Sequence, residues 1–441
     1  MQVDFQSKIG PFKPINGASR YDTEDTESFF SYGFPSVRLH DQDGPRPFCV
    51  DIAGLFPYDG ADENDPSSYD FPDTDRVMSD LVFHGVTVIY RLGNSIDHTK
   101  YKRLSRVPRD FTKWAKICEH VIAHYTEGWN KGFYYDLPYW EIWNEPDLIY
   151  LNLTTMWQGT EEEFFDLYRV ASFYLKKRFP HLKIGGYGAA RSRAPFFEHF
   201  LNMVEKEQLP LDFFSWHRYG SEIEELIAQA ERVRALLDQH GCTHTESILD
   251  EWSYTENDWF GQNAWGVIDE NPRLNEAFYS KMRGPEGASY IAGCQIAMLD
   301  APVDQAQIYD CQRGDFGLMY DKWGNLTKTA TTLIAFNQMA RRSRVAATCE
   351  IPGVYVAAGA DTPGADVMIS CFECRSSESS ITLCGCGSYS TAKVLLTDRY
   401  FSNEEITEVP VKGDTLKLQL SIRPYTIIHI ALEKEGSHHG F

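Results

Sequence analysis

Short apolar runs that end in polar pairs alternate, along the first three quarters of this chain, with stretches of helical periodicity. The most informative run is Tyr139-Trp140-Glu141-Ile142-Trp143-Asn144-Glu145-Pro146. Its nearly continuous apolar character is that of a parallel strand buried on both faces. Pro146 stops it, because proline cannot donate to a ladder and biases the residue before it away from helix. The strand therefore delivers Asn144 and Glu145 at its carboxyl end. Similar runs are Pro35–Asp41, Val86–Gly93, Leu182–Tyr187, Leu211–His217 and Ser247–Ser253, with Pro11–Ser19 as a first short strand and turn. Helical spacing separates them over Thr74–Val82, Phe111–Tyr125, Glu161–Phe179 and Ser221–His240. Residues 42–68, rich in Asp, Pro, Gly and Ser, form a long loop at the carboxyl end of the second strand, and Thr255–Asn271 is irregular. A helix over 272–284, the apolar run Tyr290–Asp300 as the eighth strand, and a helix from about Thr327 to Ala340 complete the series.

Strands alternating with helices in this rhythm predict a parallel sheet, and eight of them predict closure into an α/β fold of the (β/α)8 TIM-barrel type over residues 1–343. Beyond about Arg344 the pattern changes to short strands without helices: Val354–Val356, Val367–Ser370, Ile381–Leu383, Ala392–Leu396, Leu416–Leu420 and Thr426–Ile430. That spacing predicts a C-terminal antiparallel β-sandwich over 344–441, to which the N-terminal residues can add a strand.

Composition narrows the function classes. The 441 residues carry a formal charge of −21, which speaks against nucleic acid and anionic membrane as partners, since both are bound by basic patches. No apolar run approaches the roughly 20 residues of a membrane span. The N-terminus lacks the basic-then-apolar pattern of a secretory signal, and ten cysteines without a framework suit reduced thiols, so a cytoplasmic location is expected. Aromatic residues, at 14%, are abundant enough to supply both core and flat faces for sugar rings.

A carboxylate at a strand's last position lies where barrel enzymes keep their chemistry. In a chain with 63 acidic residues it needs a partner, and Glu251, ending the run Ser247–Ser253 three βα units later, is the best candidate. Asp250 beside it is the alternative, because a one-residue slip reverses the face a side chain takes. Glu141 shares strand parity with Glu145 and is expected deeper in the barrel, paired with Arg38.

The succession Phe34–Asp41, Tyr69–Val77, Tyr139–Asp147, Lys183–Gly186, Phe214–His217 and Leu249–Trp252 resembles glycoside hydrolase family 39, the family of β-xylosidases and α-L-iduronidases, over about residues 30 to 340. The resemblance implies a (β/α)8 barrel with a β-sandwich and hydrolysis with retention of anomeric configuration. It makes Glu145, in Asn-Glu-Pro on the fourth strand, the acid and later the base, and Glu251, on the seventh, the nucleophile. The reading is a retaining exo-glycosidase of short oligosaccharides, β-xylosidase-like, with an α-L-arabinofuranosidase or a carbohydrate-binding barrel without turnover as alternatives. Arg38, Tyr219 and His217 would keep Glu251 ionised, and Asn144 would meet the sugar 2-hydroxyl. His40 and Trp252 are further substrate contacts. Where the family carries an aromatic platform at the end of its eighth strand, the run here ends in Asp300, which would then bind a hydroxyl. No cofactor and no metal are expected: Cys371, Cys374, Cys384 and Cys386 read as small core residues rather than a zinc site. The partner is a glycoside or oligosaccharide, with a homo-oligomer left open.

Overall fold

A computed structural model describes residues 1–97, 99–193, 195–256, 271–314 and 316–434. Eight parallel strands close a barrel: β2 (Gly17–Ser19), β3 (Ser36–Leu39), β4 (Thr87–Leu92), β5 (Tyr139–Ile142), β6 (Lys183–Ala189), β7 (Phe213–Gly220), β8 (Glu246–Tyr254) and β9 (Gln305–Tyr309). They pair in chain order, and β2 meets β9 to close the cylinder through Gly17↔Gln307 and Ala18↔Ile308. The fourth barrel strand is thus β5 and the seventh β8. Their residues are buried almost throughout, as expected of strands walled by helices. Most of the irregular segment after β8, residues 257–270, lies outside the described residues.

The eighth strand is not Tyr290–Asp300. Those residues belong to a helix, Pro285–Met298, and to the turn after it. Proline opens this helix, as suits a first turn whose amide would be unpaired anyway. The helix is buried on nearly every side because it is wedged between the barrel and the second domain, where Ser370 Oγ donates to the Ser289 carbonyl at 2.6 Å. A helix covered all round loses its periodicity and reads like a buried strand. Gly293 permits the close approach: a Cβ there would come within 2.5 Å of Ile223.

The second domain is one nine-stranded sheet in the order β15-β14-β17-β12-β11-β10-β1-β13-β16. Eight of its strands are β10 (Ser343–Thr348), β11 (Val354–Ala360), β12 (Gly364–Cys371), β13 (Ser377–Cys384), β14 (Thr391–Thr397), β15 (Ser402–Pro410), β16 (Thr415–Ile422) and β17 (Thr426–Glu433). The ninth is β1 (Gln2–Pro11), which pairs antiparallel with β10 and parallel with β13. The sheet curls until its ends face each other, so that Val394 and Ile406 from one end and Leu418 and Leu420 from the other line a common cavity of about 350 Å³. The sandwich is therefore a single sheet bent over its own apolar core. Among the described residues no helix is long and apolar enough to cross a membrane.

Candidate active site

The carboxyl ends of β3, β4, β5, β7 and β8 bring a dense set of ionisable groups to the barrel mouth. Arg38, on β3, is fully buried and reaches two other strands, β5 and β8, at once. Its Nε donates to Glu141 Oε2 at 2.9 Å, its Nη1 to Glu251 Oε2 at 3.0 Å and its Nη2 to Asn144 Oδ1 at 2.6 Å. Beyond β5 the chain turns sharply, with Trp143 and Glu145 both in the left-handed region at φ 71° and 46°. Such backbone strain in non-glycine residues clusters where a side chain must be aimed. The turn is locked by the Glu145 amide donating to the Gly188 carbonyl at 2.9 Å. Gly188 itself, at φ 64°, leaves no room for a side chain, since a Cβ would stand 2.8 Å from Asn144 Oδ1.

On β8 the pairing register slips: Trp216 faces Leu249 but His217 faces Glu251, which leaves Asp250 as an extra, bulged residue. A bulge re-aims side chains, and here both acids point inward. Asp250 Oδ2 lies 2.8 Å from Arg38 Nε, although the Nε hydrogen is directed at Glu141, and Asp250 Oδ1 lies 3.4 Å from His217 Nε2. Glu251 Oε1 accepts from the Tyr219 hydroxyl at 2.6 Å. His217 sits between the two predicted acids, 2.8 Å from Glu145 Oε1 and 3.7 Å from Glu251 Oε2 through the same Nδ1. One carboxylate oxygen from each of Glu145 and Glu251 and a ring nitrogen of His217 all lie within 4.8 Å of one another.

Burial and charge compete in this cluster. Burial alone would push the His217 imidazole down, but Glu251, Asp250 and Glu145 reverse that and hold it well above its usual value. Burial pushes the Glu251 carboxyl up; His217, Arg38 and the Tyr219 hydrogen bond pull it down, while Glu145 adds to the rise. The donors expected to keep Glu251 ionised are therefore in place, yet they do not overcome its burial. Glu141, deeper in the barrel, is pushed by burial up to about 8 against the pull of Arg38.

A sequence profile described as Glycosyl hydrolases family 39 matches residues 82–239. Over that segment the chain is similar to that family. It is 25% identical over 207 residues to a β-xylosidase of Geobacillus stearothermophilus, covering 42% of this chain and 38% of that protein. To a β-xylosidase of Caldicellulosiruptor saccharolyticus it is 30% identical over 140 residues, or 30% of this chain and 27% of the relative. The matched segments thus span well under half of those curated relatives. In fold it is similar over its whole length to the crystal structure of a glucosidase from Croceicoccus marinus, with a TM-score of 0.79 at 21% identity and 98% of each chain covered.

Of the residues expected at the barrel mouth, Glu145, Glu251, Arg38, His40, Asn144, His217 and Tyr219 are gathered at one end of the barrel. Two are not. Trp252 is fully buried in the main core, because alternation from the inward-facing Glu251 turns it toward the helical layer. Asp300 follows the helix that precedes the eighth strand, which puts it at the opposite end of the barrel. There its exposed carboxylate pairs with Arg344 at 2.6 Å. The residue that ends the eighth strand is Tyr309, an aromatic after all, whose hydroxyl donates to Asp41 Oδ2 at 3.2 Å and whose ring meets Phe316 at 5.6 Å. Sequence reasoning also missed Arg91, although a lone arginine in the apolar run Thr87–Leu92 was a signal. The bulge at Asp250 had no such signal. Among the described residues the four cysteines of β12 to β13 and the turns after them form no metal-ligand cluster. Among those residues the trio Glu145, His217 and Glu251 is the one candidate, and a cation there would compete with the imidazole proton.

Proposed function

We propose that the protein is a retaining exo-glycosidase, β-xylosidase-like, in which Glu145 is the acid and base and Glu251 the nucleophile. The observation that carries this reading is the approach of the two carboxylates to within 4.8 Å. Retaining glycosidases need about 5–5.5 Å between these groups, whereas inverting ones leave about 6.5–9.5 Å for a water. The resemblance to β-xylosidases supports the choice of sugar.

On this reading the Glu145 carboxyl gives its proton to the leaving oxygen as a Glu251 oxygen bonds to the anomeric carbon, and the aglycone departs. His217 donates its Nδ1–H to the carboxylate that Glu145 has become and holds it in place while its other oxygen draws a proton from the incoming water. That water attacks the anomeric carbon and releases Glu251. Arg38 and Tyr219 hold the nucleophile's two oxygens apart and oriented, and Asn144, fixed by Arg38, turns its amide nitrogen toward the sugar.

The test is product stereochemistry, followed by proton NMR on nitrophenyl xylosides, glucosides and arabinofuranosides. The first-formed sugar should keep the configuration of the substrate. Glu251→Gln should lower kcat by about 10⁴-fold or more, and azide should rescue Glu251→Gly with an inverted glycosyl azide. First-formed product of opposite configuration would end the retaining reading. Binding of a sugar without release from any glycoside would favour a carbohydrate-binding barrel.

A further inference from the structure

We infer that Arg91 is a positioning residue that holds His40 in its Nε2–H form, giving the barrel mouth a fixed hydrogen-bond donor for a sugar hydroxyl. The inference rests on the glycosidase reading for its substrate and on geometry for everything else. Arg91 Nε lies 3.1 Å from His40 Nδ1 and donates to it. A guanidinium has no acceptor, so Nδ1 must be bare and the ring proton of a neutral imidazole must be on Nε2. On that side Asp41 Oδ1 is 3.5 Å away, too far for a good hydrogen bond. Both Asp41 oxygens are already engaged, by the Ile96 amide at 3.0 Å and the Tyr309 hydroxyl at 3.2 Å. The Nε2–H is therefore left for a ligand.

Arg91 is in turn fixed from behind. Its Nη2 donates to Asp51 Oδ1 at 2.7 Å, and Asp51 also accepts the Ser95 hydroxyl at 2.9 Å and the Ser95 amide at 2.7 Å. Arg91 is fully buried and Asp51 nearly so. A buried ion pair is weak evidence for stability, and this one aims a nitrogen at the site. His40 is faced by Arg91 on β4, Arg38 on its own strand, His217 on β7, Arg20 beyond β2 and Asp41 beside it. Burial and the four cations hold it well below its usual value. They thereby favour the neutral form in which Nε2 donates.

The experiment is nitrogen NMR of the whole protein labelled at histidine, with His40 assigned by His40→Asn. Wild type should show a bare Nδ1 and a protonated Nε2 at His40. Arg91→Gln should abolish that preference and raise KM about tenfold, with kcat changed by about twofold or less. It should also add a protonation to the acid limb of KM, because a cation that depressed His40 is gone. A wild-type His40 protonated on Nδ1 overturns the inference, as does an Arg91→Gln protein with unchanged tautomer and KM. Should Arg91→Gln fail to fold, the wild-type tautomer alone decides. The readout needs no turnover. A protein with the expected tautomer that cleaves no glycoside sinks the functional reading and keeps this one, and an active enzyme with the other tautomer does the reverse.

Discussion

Two histidines stand on different sides of the barrel mouth, and their surroundings drive them to opposite states. His40, at the end of β3, is buried against Arg91 with Arg38 and His217 nearby, so it is held neutral. His217, on β7, is equally buried but lies against Glu145, Asp250 and Glu251, so it is held charged. Burial disfavours the imidazolium at both positions; only the sign of the neighbours differs. One side of the mouth thereby offers a constant donor, while the other carries a charge between the two acids and can answer as their protonation alternates.

Arg38 belongs to both sides, because it depresses His40 and neutralises the acids around His217. Replacing it breaks the contrast most severely. Arg38→Met would leave Glu141, Asp250 and Glu251 buried around a lost partner, and breaking one side of such a pair costs about 3–5 kcal/mol. The expected result is a fall of that size in unfolding free energy measured by urea titration. A change below about 1 kcal/mol would mean that the carboxylates re-pair or take up protons without it.

His217→Asn sharpens the comparison from the other side. The two acids would face each other without the intervening charge, and kcat should drop by about 10²-fold, the scale of losing one charged stabiliser at a reacting centre. The pH profile carries the sign. His217 lowers the Glu251 carboxyl, so its removal lets burial and Glu145 push Glu251 further up. The nucleophile is then ionised only at higher pH, and the acid limb of kcat/KM moves upward. In the wild type the same burial should already move that limb upward, though less far. A limb that stays put in His217→Asn would show that the imidazolium does not govern the pair.

The part of this arrangement that was legible in the sequence is the part set by local chemistry. Pro146 marks the end of β5, alternation marks the polar ends of β3 and β7, and the order of the runs gives the barrel, so Glu145, Glu251, Arg38 and His217 were all reachable. What stayed hidden depended on tertiary context. The helix Pro285–Met298 is apolar all round because a second domain covers its outer face, and no single-sequence period distinguishes that from a strand. The bulge that turns Asp250 inward is a pairing irregularity between β7 and β8, invisible until the register is known. The link from Asp51 through Arg91 to His40 joins a long loop to two strands, and nothing in the spacing announces it.

The misplaced eighth strand gives the smallest predicted effect and a clean check on the fold. If Asp300 stood at the mouth it would bind a sugar hydroxyl, and its loss would raise KM. The geometry sets it at the other end of the cylinder, with a side chain 77% exposed and paired to Arg344. Its carboxyl is drawn below the usual range by that hydrogen bond, but water screens an exposed pair, so Asp300→Ala should change unfolding free energy by no more than about 0.5 kcal/mol. It should leave kcat/KM within about twofold, since surface changes remote from a site rarely exceed that. Tyr309→Ala is the counterpart at the true strand end: it removes the ring that meets Phe316 and the hydroxyl that holds Asp41. Its KM should rise while that of Asp300→Ala stays. Were the two variants to behave the other way round, the eighth strand, and with it that side of the proposed sugar site, would have to be redrawn.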